Sequence, residues 1–299
     1  YSKMALFRGL LDEGLSAGFI TEKLLHSYFP QQARERYLEI LAKHPLADEI
    51  TATVMTNHVV DRAGSSFCQG LARLTGVSQA RVAHSYLHLD HLLSAEELRQ
   101  AIFALDNKMP SQQQYQLLLE LEQILVNFCQ FVLSHGLQLA QDEGGLKRIN
   151  LLFEEYVEIL PSVLPAPIWQ ACQKRKADLI SASLPPHYAA RFAILPQLKT
   201  FLPLVKLINE NNLEMSSLVK LGFEVIEQLS VDDLIDGVEA IMIHNRWDRS
   251  AREALLGGLH NAVFGLVQKI ALENGADSQA FFRREKQKYR NYRDLRDQL

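Results

Sequence analysis

Three histidines about a helical turn apart, His84, His88 and His91, with Asp90 beside them, come nearest to chemistry by type and spacing. Imidazoles at i, i+4 and i+7 share a helix face and can chelate a transition metal. Asp90 points off that face, so no acidic partner orients the rings. The same spacing describes a solvated face beside the apolar stripe of Tyr86 and Leu89, and no metal site is expected. The last residues, FFRREKQKYRNYRDLRDQL, set Arg283, Arg284, Lys286, Lys288, Arg290, Arg293 and Arg296 around Tyr289 and Tyr292. Cations interleaved with aromatics can hold a phosphate backbone and stack bases. Glu285, Asp294 and Asp297 dilute them, and the whole chain carries −4. A charged terminal helix or tail accounts for the run, so no nucleic-acid partner is expected.

Other reactive patterns are missing from the sequence. It contains no G-x-G-x-x-G, Walker phosphate loop, C-x-x-C or H-E-x-x-H. Gly144–Gly145 and Gly257–Gly258 follow no strand pattern and cannot open a nucleotide cradle. Cys68, Cys129 and Cys172 are far apart, odd in number and set among apolar residues. They read as buried reduced thiols of a cytoplasmic protein. No catalytic or cofactor-binding residue is therefore assigned in this segment.

The element that organises the rest is the stretch LADEITATVMTNHVVDRAGSSF, in which a helix is expected over 46–63. At 100° per residue Leu46, Ile50, Thr53, Val54, Asn57 and Asp61 fall on one arc, with Met55 and Val59 opposite. A helix apolar on two sides is a core helix. Pro45, Asp48 and Glu49 mark its start, while Arg62 and Gly64 mark its end. Asn57 and Asp61 sit within an apolar arc, so they are expected to turn inward and tie the helix to its neighbours by buried hydrogen bonds. Arg62, rotated away from Asp61, is expected to serve another helix or its own C-terminal carbonyls.

Every other segment also reads as helix: Met4 to Leu15, Thr21 to Tyr28, and the run between Pro30 and Pro45. Ser66 and Ser78 are placed to cap further helices, the second with Val82, Tyr86, Leu89 and Leu93 on its apolar face. Ser94 with Glu97 forms a capping-box pattern. A long apolar helix after Pro110 closes at Gly136. The expected fold is all-α, a multi-helix bundle with an N-terminal lobe, 1–138, and a second lobe, 139–299. The second partly repeats the first. A shift of 136 residues lays Ser230 and Asp233 on Ser94 and Glu97, Leu218 on Val82, Val225 on Leu89 and Leu234 on Leu98. Amphipathic helices can be slid into such register without common origin, so the duplication stands as an expectation. With 299 residues, 47% hydrophobic and 22% charged, the composition is that of a soluble globular protein. No run approaches 18 apolar residues without a polar interruption, so no membrane partner is expected. The sequence has no initiator Met and begins within an apparent helix, as a piece of a longer chain would.

The run from Tyr28 to Ser78 resembles the C-terminal region of the large bacterial NAD-specific glutamate dehydrogenases. That family has a YFP motif, then H-x-L-x-x-E-I-x-x-T-x-x-x-N-x-x-x-N-R-x-G. Matching positions here are Tyr28, Phe29 and Pro30, then His44, Leu46, Glu49, Ile50, Thr53, Asn57, Arg62 and Gly64, with Asp61 where the family commonly has Asn. Ala104 to Leu121, and NRWDRSAREAL with Arg246 and Trp247, are similar to later landmarks. The resemblance implies a parent enzyme that oxidises L-glutamate to 2-oxoglutarate and ammonium with NAD as cofactor. Its catalytic residues and NAD site would lie upstream of Tyr1. It implies that this segment is a structural, regulatory or assembly domain without catalytic residues. Its partners would be the enzyme's own catalytic domain and sister subunits in a cytoplasmic homo-oligomer. Asn57, Asp61, Arg62, Gly64, Arg246 and Trp247 would then be structural or interdomain residues. The alternative is a non-enzymatic helical adaptor that binds partner proteins.

Overall fold

Apolar residues recur three and four apart along this chain, a spacing that only helices can turn to a single side. The computed structural model describes residues 2–15, 19–137, 143–211, 214–274, 278–283 and 285, and among them there is helix and no strand. Contacts divide the chain into two units, Tyr1–Phe153 with Gln170–Leu202, and Glu154–Trp169 with Pro203–Leu299. This division differs from the break expected at 138/139. A 3-10 segment, Leu195–Thr200, packs against the long helix of the first unit, with Leu195 and Leu198 buried. Apolar residues far along the sequence therefore complete the first core.

The first unit begins with α1 (Ser2–Glu13), α2 (Phe19–Tyr28), α3 (Gln31–Leu41) and α4 (Ala47–Ala63). α4 packs against α1, α2 and the later α6, and it buries Thr51, Ala52, Met55, Thr56 and Val59. This is the face opposite to the arc expected to turn inward: Leu46 is 53% exposed and Asn57 is exposed. Thr51 and Ala52 are small, and they extend the Met55–Val59 stripe by one turn. The arc chosen by its larger aliphatics faces outward instead. The start and stop signals operate as expected. Asp48 and Glu49 occupy the first turn, Arg62 the last, and Gly64 ends the helix at φ 94°, a conformation costly for any residue with a Cβ.

Next come α5 (Phe67–Thr75), α6 (Gln79–Leu92), α7 (Ala95–Phe103) and α8 (Ser111–Ser134). The Ser78 hydroxyl caps α6 by accepting from the Arg81 N–H, and Val82, Tyr86, Leu89 and Leu93 are buried. The expected capping box at Ser94 does not form. Ser94 lies in the left-handed region at φ 49° and its side chain makes no cap bond. The connection between α6 and α7 is so short that backbone geometry, not the hydroxyl, turns the corner. α8 buries Leu117, Leu121, Leu125, Phe128, Cys129 and Val132. All three cysteines are free and buried. The first unit also takes in the start of α9 (Glu143–Val163), most of α10 (Ala166–Ser181) and all of α11 (Pro186–Ile194).

The second unit is built on α12 (Phe201–Asn211, joining it from Pro203), α13 (Met215–Gln228), α14 (Val231–Glu239) and α15 (Arg246–Asn274). α13, α14 and α15 pack on one another. Their core holds Leu218, Val219, Leu221, Phe223, Val225, Val267 and Ile270. Two stretches, α8 and Ala254–Glu273 of α15, are long and apolar enough to cross a membrane, a property that core helices of soluble proteins share.

Candidate functional site

Four helices of the first unit send charged side chains to one point. Arg62 comes from the last turn of α4, Asp90 from α6, Glu96 and Arg99 from α7, and Glu122 from α8. Arg99 is the centre, with its side chain only 4% exposed. Its Nη1 stands 2.6 Å from Asp90 Oδ1, and its Nε and Nη2 both donate to Glu122 Oε1, at 2.8 and 2.6 Å. Nη2 also donates to the Tyr86 hydroxyl at 3.1 Å, and that hydroxyl donates to Glu122 Oε2 at 2.7 Å. Arg62 joins from the side, donating to Glu96 Oε2 at 2.5 Å, with its other terminal nitrogen 3.6 Å from Asp90. The planar guanidinium suits this arrangement because its donors lie in a fixed fork.

Burial and neighbouring charges together set the protonation states. Burial opposes the charge on Arg99, but Asp90, Tyr86 and Glu122 outweigh it and hold the guanidinium charged. Burial pushes the Tyr86 phenol far above its ordinary range, against the pull of Arg99, so the hydroxyl remains a donor. Glu96 is held below the usual carboxylate range: burial opposes this, but the Gln100 hydrogen bond, Arg62 and Arg99 prevail. Beside the cluster, His58 is lowered by burial first and then by Arg62, so it is neutral at pH 7. Each charged group is engaged by an opposite charge. Such a centre fixes how four helices meet.

Asn57 and Asp61 do act together, but at the surface. Lys3 of α1 donates to Asn57 Oδ1 at 2.9 Å and lies 2.6 Å from Asp61, whose side chain is 63% exposed. The expected buried seam is therefore an exposed clamp between α1 and α4. Arg62 is the one of the three that reaches the interior. Gly64 ends α4 and touches no site. Arg246 opens α15, and its side chain lies outside the described residues. Trp247 is 82% exposed. Within this chain the NRWD segment makes a local hydrogen-bonded box. Asn245 Oδ1 accepts from the Trp247 and Asp248 N–H groups, while Asp248 Oδ2 accepts from His244 and Asn245. This reciprocal box fixes the start of α15.

His84, His88 and His91 are lowered by burial, and the His88 ring bonds the His84 carbonyl at 2.7 Å. Among the described residues no group of three His, Cys, Asp or Glu side chains is placed to hold a metal ion. Of the basic C-terminal run, Arg284 and residues 286–299 lie outside the described residues. Glu96, Arg99 and Glu122 are not singled out by the sequence reading, and Asp90 and Tyr86 enter it only as a neighbour of the histidines and as part of an apolar stripe. The available signal was Arg99 itself, an arginine next to Leu98 and three residues before Ile102 on the apolar side of its helix.

With a buried ionic hub on an all-helical frame established, comparison with known proteins adds the family. The model described as "Glutamate dehydrogenase, C-terminal" matches residues 1–297. The chain belongs to that family. It is 23% identical over 270 residues to the NAD-specific glutamate dehydrogenase of Halomonas elongata, covering 90% of this chain and 17% of that protein. It is 26% identical over 258 residues to that of Pseudomonas aeruginosa, covering 85% and 16%. It is 21% identical over 242 residues to that of Mycobacterium tuberculosis, covering 81% and 15%. The chain thus spans about one sixth of the length of these relatives. As a glutamate dehydrogenase C-terminal region, it is a helical domain in which a buried ionic centre joins helices.

Proposed function

We propose that this family member serves a large NAD-dependent glutamate dehydrogenase as a structural and assembly domain. In this reading the parent enzyme converts L-glutamate and NAD to 2-oxoglutarate and ammonium. Catalytic lysine and aspartate side chains and the NAD site belong to the remainder of that enzyme. The domain packs on the catalytic portion and on sister subunits, and the enzyme works in the cytoplasm as a homo-oligomer.

The observation that carries the proposal is the family match over residues 1–297 together with relatives about six times longer. The chemistry of the site agrees with it. Dinucleotide binding uses a strand-to-helix turn that sets a pyrophosphate on a helix N-terminus, whereas the described residues here are helical. The buried charges are engaged by one another rather than aimed at a cleft.

Two measurements test the proposal. Calorimetry of the 299-residue chain with NAD, and a glutamate-dependent NADH assay, should give no saturable binding and no turnover. Micromolar NAD affinity would refute the assignment of cofactor binding to the remainder. Deleting the domain from a full-length relative should lower its oligomeric state or its activity. A truncated enzyme with unchanged mass by light scattering and unchanged kcat and KM would refute the assembly role and favour an adaptor.

A further inference from the structure

We infer that α6–α8 and α13–α15 are two copies of one three-helix unit, and that the buried charges of the first copy are a latch for α4 set into an otherwise apolar frame. The inference rests on geometry at a constant shift of 136 residues. α6 spans Gln79–Leu92 and α13 spans Met215–Gln228, each of 14 residues; α7 spans Ala95–Phe103 and α14 Val231–Glu239, each of nine. All four helix ends coincide under the shift. Between the helices stand Ser94 (φ 49°, ψ 40°) and Ser230 (φ 49°, ψ 46°). A left-handed non-glycine residue is uncommon, yet both copies place one at the same point. The corner hydrogen bonds also correspond: Ser94 N–H to His91 O at 3.0 Å and Ser230 N–H to Glu227 O at 3.1 Å. Those closing the second helix do too: Ala104 N–H to Gln100 O at 3.0 Å and Ala240 N–H to Asp236 O at 2.9 Å. In both copies the first helix packs on the third.

The two copies bury corresponding positions along the first helix and at the end of the third. Val82, Ala83, Leu87 and Leu89 correspond to Leu218, Val219, Phe223 and Val225, and all eight are buried. With two further residues inserted before the third helix, Cys129, Val132 and Leu133 correspond to Val267, Ile270 and Ala271, all buried. The copies part at the ionic centre. Tyr86, Asp90 and Arg99 of the first copy become Gly222, Ile226 and Ile235 in the second. Asp90 and Ile226 are equally inaccessible, at 7% and 8%. At the Asp90 position the second copy closes with the buried Ile226, and at the Arg99 position it carries the half-buried Ile235. The group that enters the first centre from outside its three helices is Arg62, from α4. An apolar centre has nothing to offer a guanidinium; the Asp90–Arg99–Glu96 arrangement gives Arg62 two carboxylates. The charges serve the docking of α4, and the three-helix unit does not need them.

The test transplants the second copy's residues into the first, in the whole 299-residue chain. Asp90→Ile with Arg99→Ile should fold with parental far-ultraviolet circular dichroism and melt closer to the parent than Arg99→Ile alone, which strands Asp90 as well as Glu122. Asp90→Ile alone should lower the midpoint clearly. Hydrogen exchange should rise about tenfold or more in the amides of α4 in the double variant, with α6–α8 still protected. Arg62→Met, which leaves Asp90 and Arg99 in place, should loosen α4 in the same way. A double variant that fails to fold, or that loses protection in α6–α8 as much as in α4, would overturn the apolar-frame half of the inference. Parental exchange of α4 in Arg62→Met would overturn the latch.

Discussion

Replacing Arg99 with Met is the sharpest probe of the first unit. Met keeps the length and much of the apolar stem but removes every donor. Lost are the contacts at 2.6 Å to Asp90 and at 2.6 and 2.8 Å to Glu122, and the 3.1 Å bond to Tyr86. What remains is worse than a gap. The Asp90 and Glu122 side chains, 10% and 19% exposed, are left negative without their shared cation. Only Arg62, 3.6 Å from Asp90, stays nearby. Breaking a buried pair by removing one partner costs about 3–5 kcal/mol, because the other charge stays buried. At about 2–4 °C per kcal/mol for a unit of this size, the midpoint should fall by roughly 6–20 °C. Urea denaturation followed by far-ultraviolet circular dichroism would give the free energy. A loss below about 1 kcal/mol would place the cluster on the scale of exposed ion pairs and refute the argument that burial makes it matter.

Three further outcomes are expected. The Thr56 hydroxyl is buried without a hydrogen-bond partner, so Thr56→Val should raise stability by about 1 kcal/mol, since an unpaired buried polar group costs about that or more; a lower midpoint would show that the hydroxyl is engaged. The Lys3 clamp is exposed at 46% and 63% on its two sides, so Lys3→Met should cost less than about 1 kcal/mol and lose that effect in high salt, and Asn57→Leu should change stability only slightly. His58, His84, His88 and His91 are lowered from 6.5 and Glu96 from 4.5. In each case the unfolded chain takes up its proton first. Stability should therefore be full above pH 6.5 and decline on acidification, first through the histidines and then, below 4.5, through Glu96. Melting midpoints that rise between pH 7 and pH 5 would contradict these directions.

The helices were legible because they are written in local signals, whereas the corner at Ser94 reads as a capping box and is turned by left-handed backbone instead. The apolar stripe of Val82, Tyr86, Leu89 and Leu93 has the period of a helix, and Gly64 and Gly76 sit where a left-handed or extended turn ends one. The inward face of α4 was not legible by the same means. Its two candidate faces differ in whether size or continuity is given more weight. Leu46, Ile50 and Val54 are larger, but Thr51, Ala52, Met55, Thr56 and Val59 form the stripe that α1, α2 and α6 cover. Which face wins depends on partners that periodicity within one helix does not describe.

The ionic centre was hidden for a related reason. Its members are 28, 9 and 23 residues apart along the chain, from Arg62 to Asp90 to Arg99 to Glu122. No fixed spacing joins them, and apart from Arg99, which lies on the apolar side of its helix, each one singly resembles an ordinary surface charge. What could have revealed them is the comparison within the sequence. Under the same shift that aligns Ser94 with Ser230, Asp90 and Arg99 fall on Ile226 and Ile235. Asp90 stands where the inferred repeat places the buried Ile226, which marks it as a charge in a core position. Buried charges are tolerated only with partners, so two such substitutions in one copy predict that they meet each other. Arg62 would follow as the cation that turns a self-contained pair into a junction, since it ends the helix that crosses the unit. If the inferred duplication holds, it separates what the three-helix frame requires from the charges that hold a fourth helix.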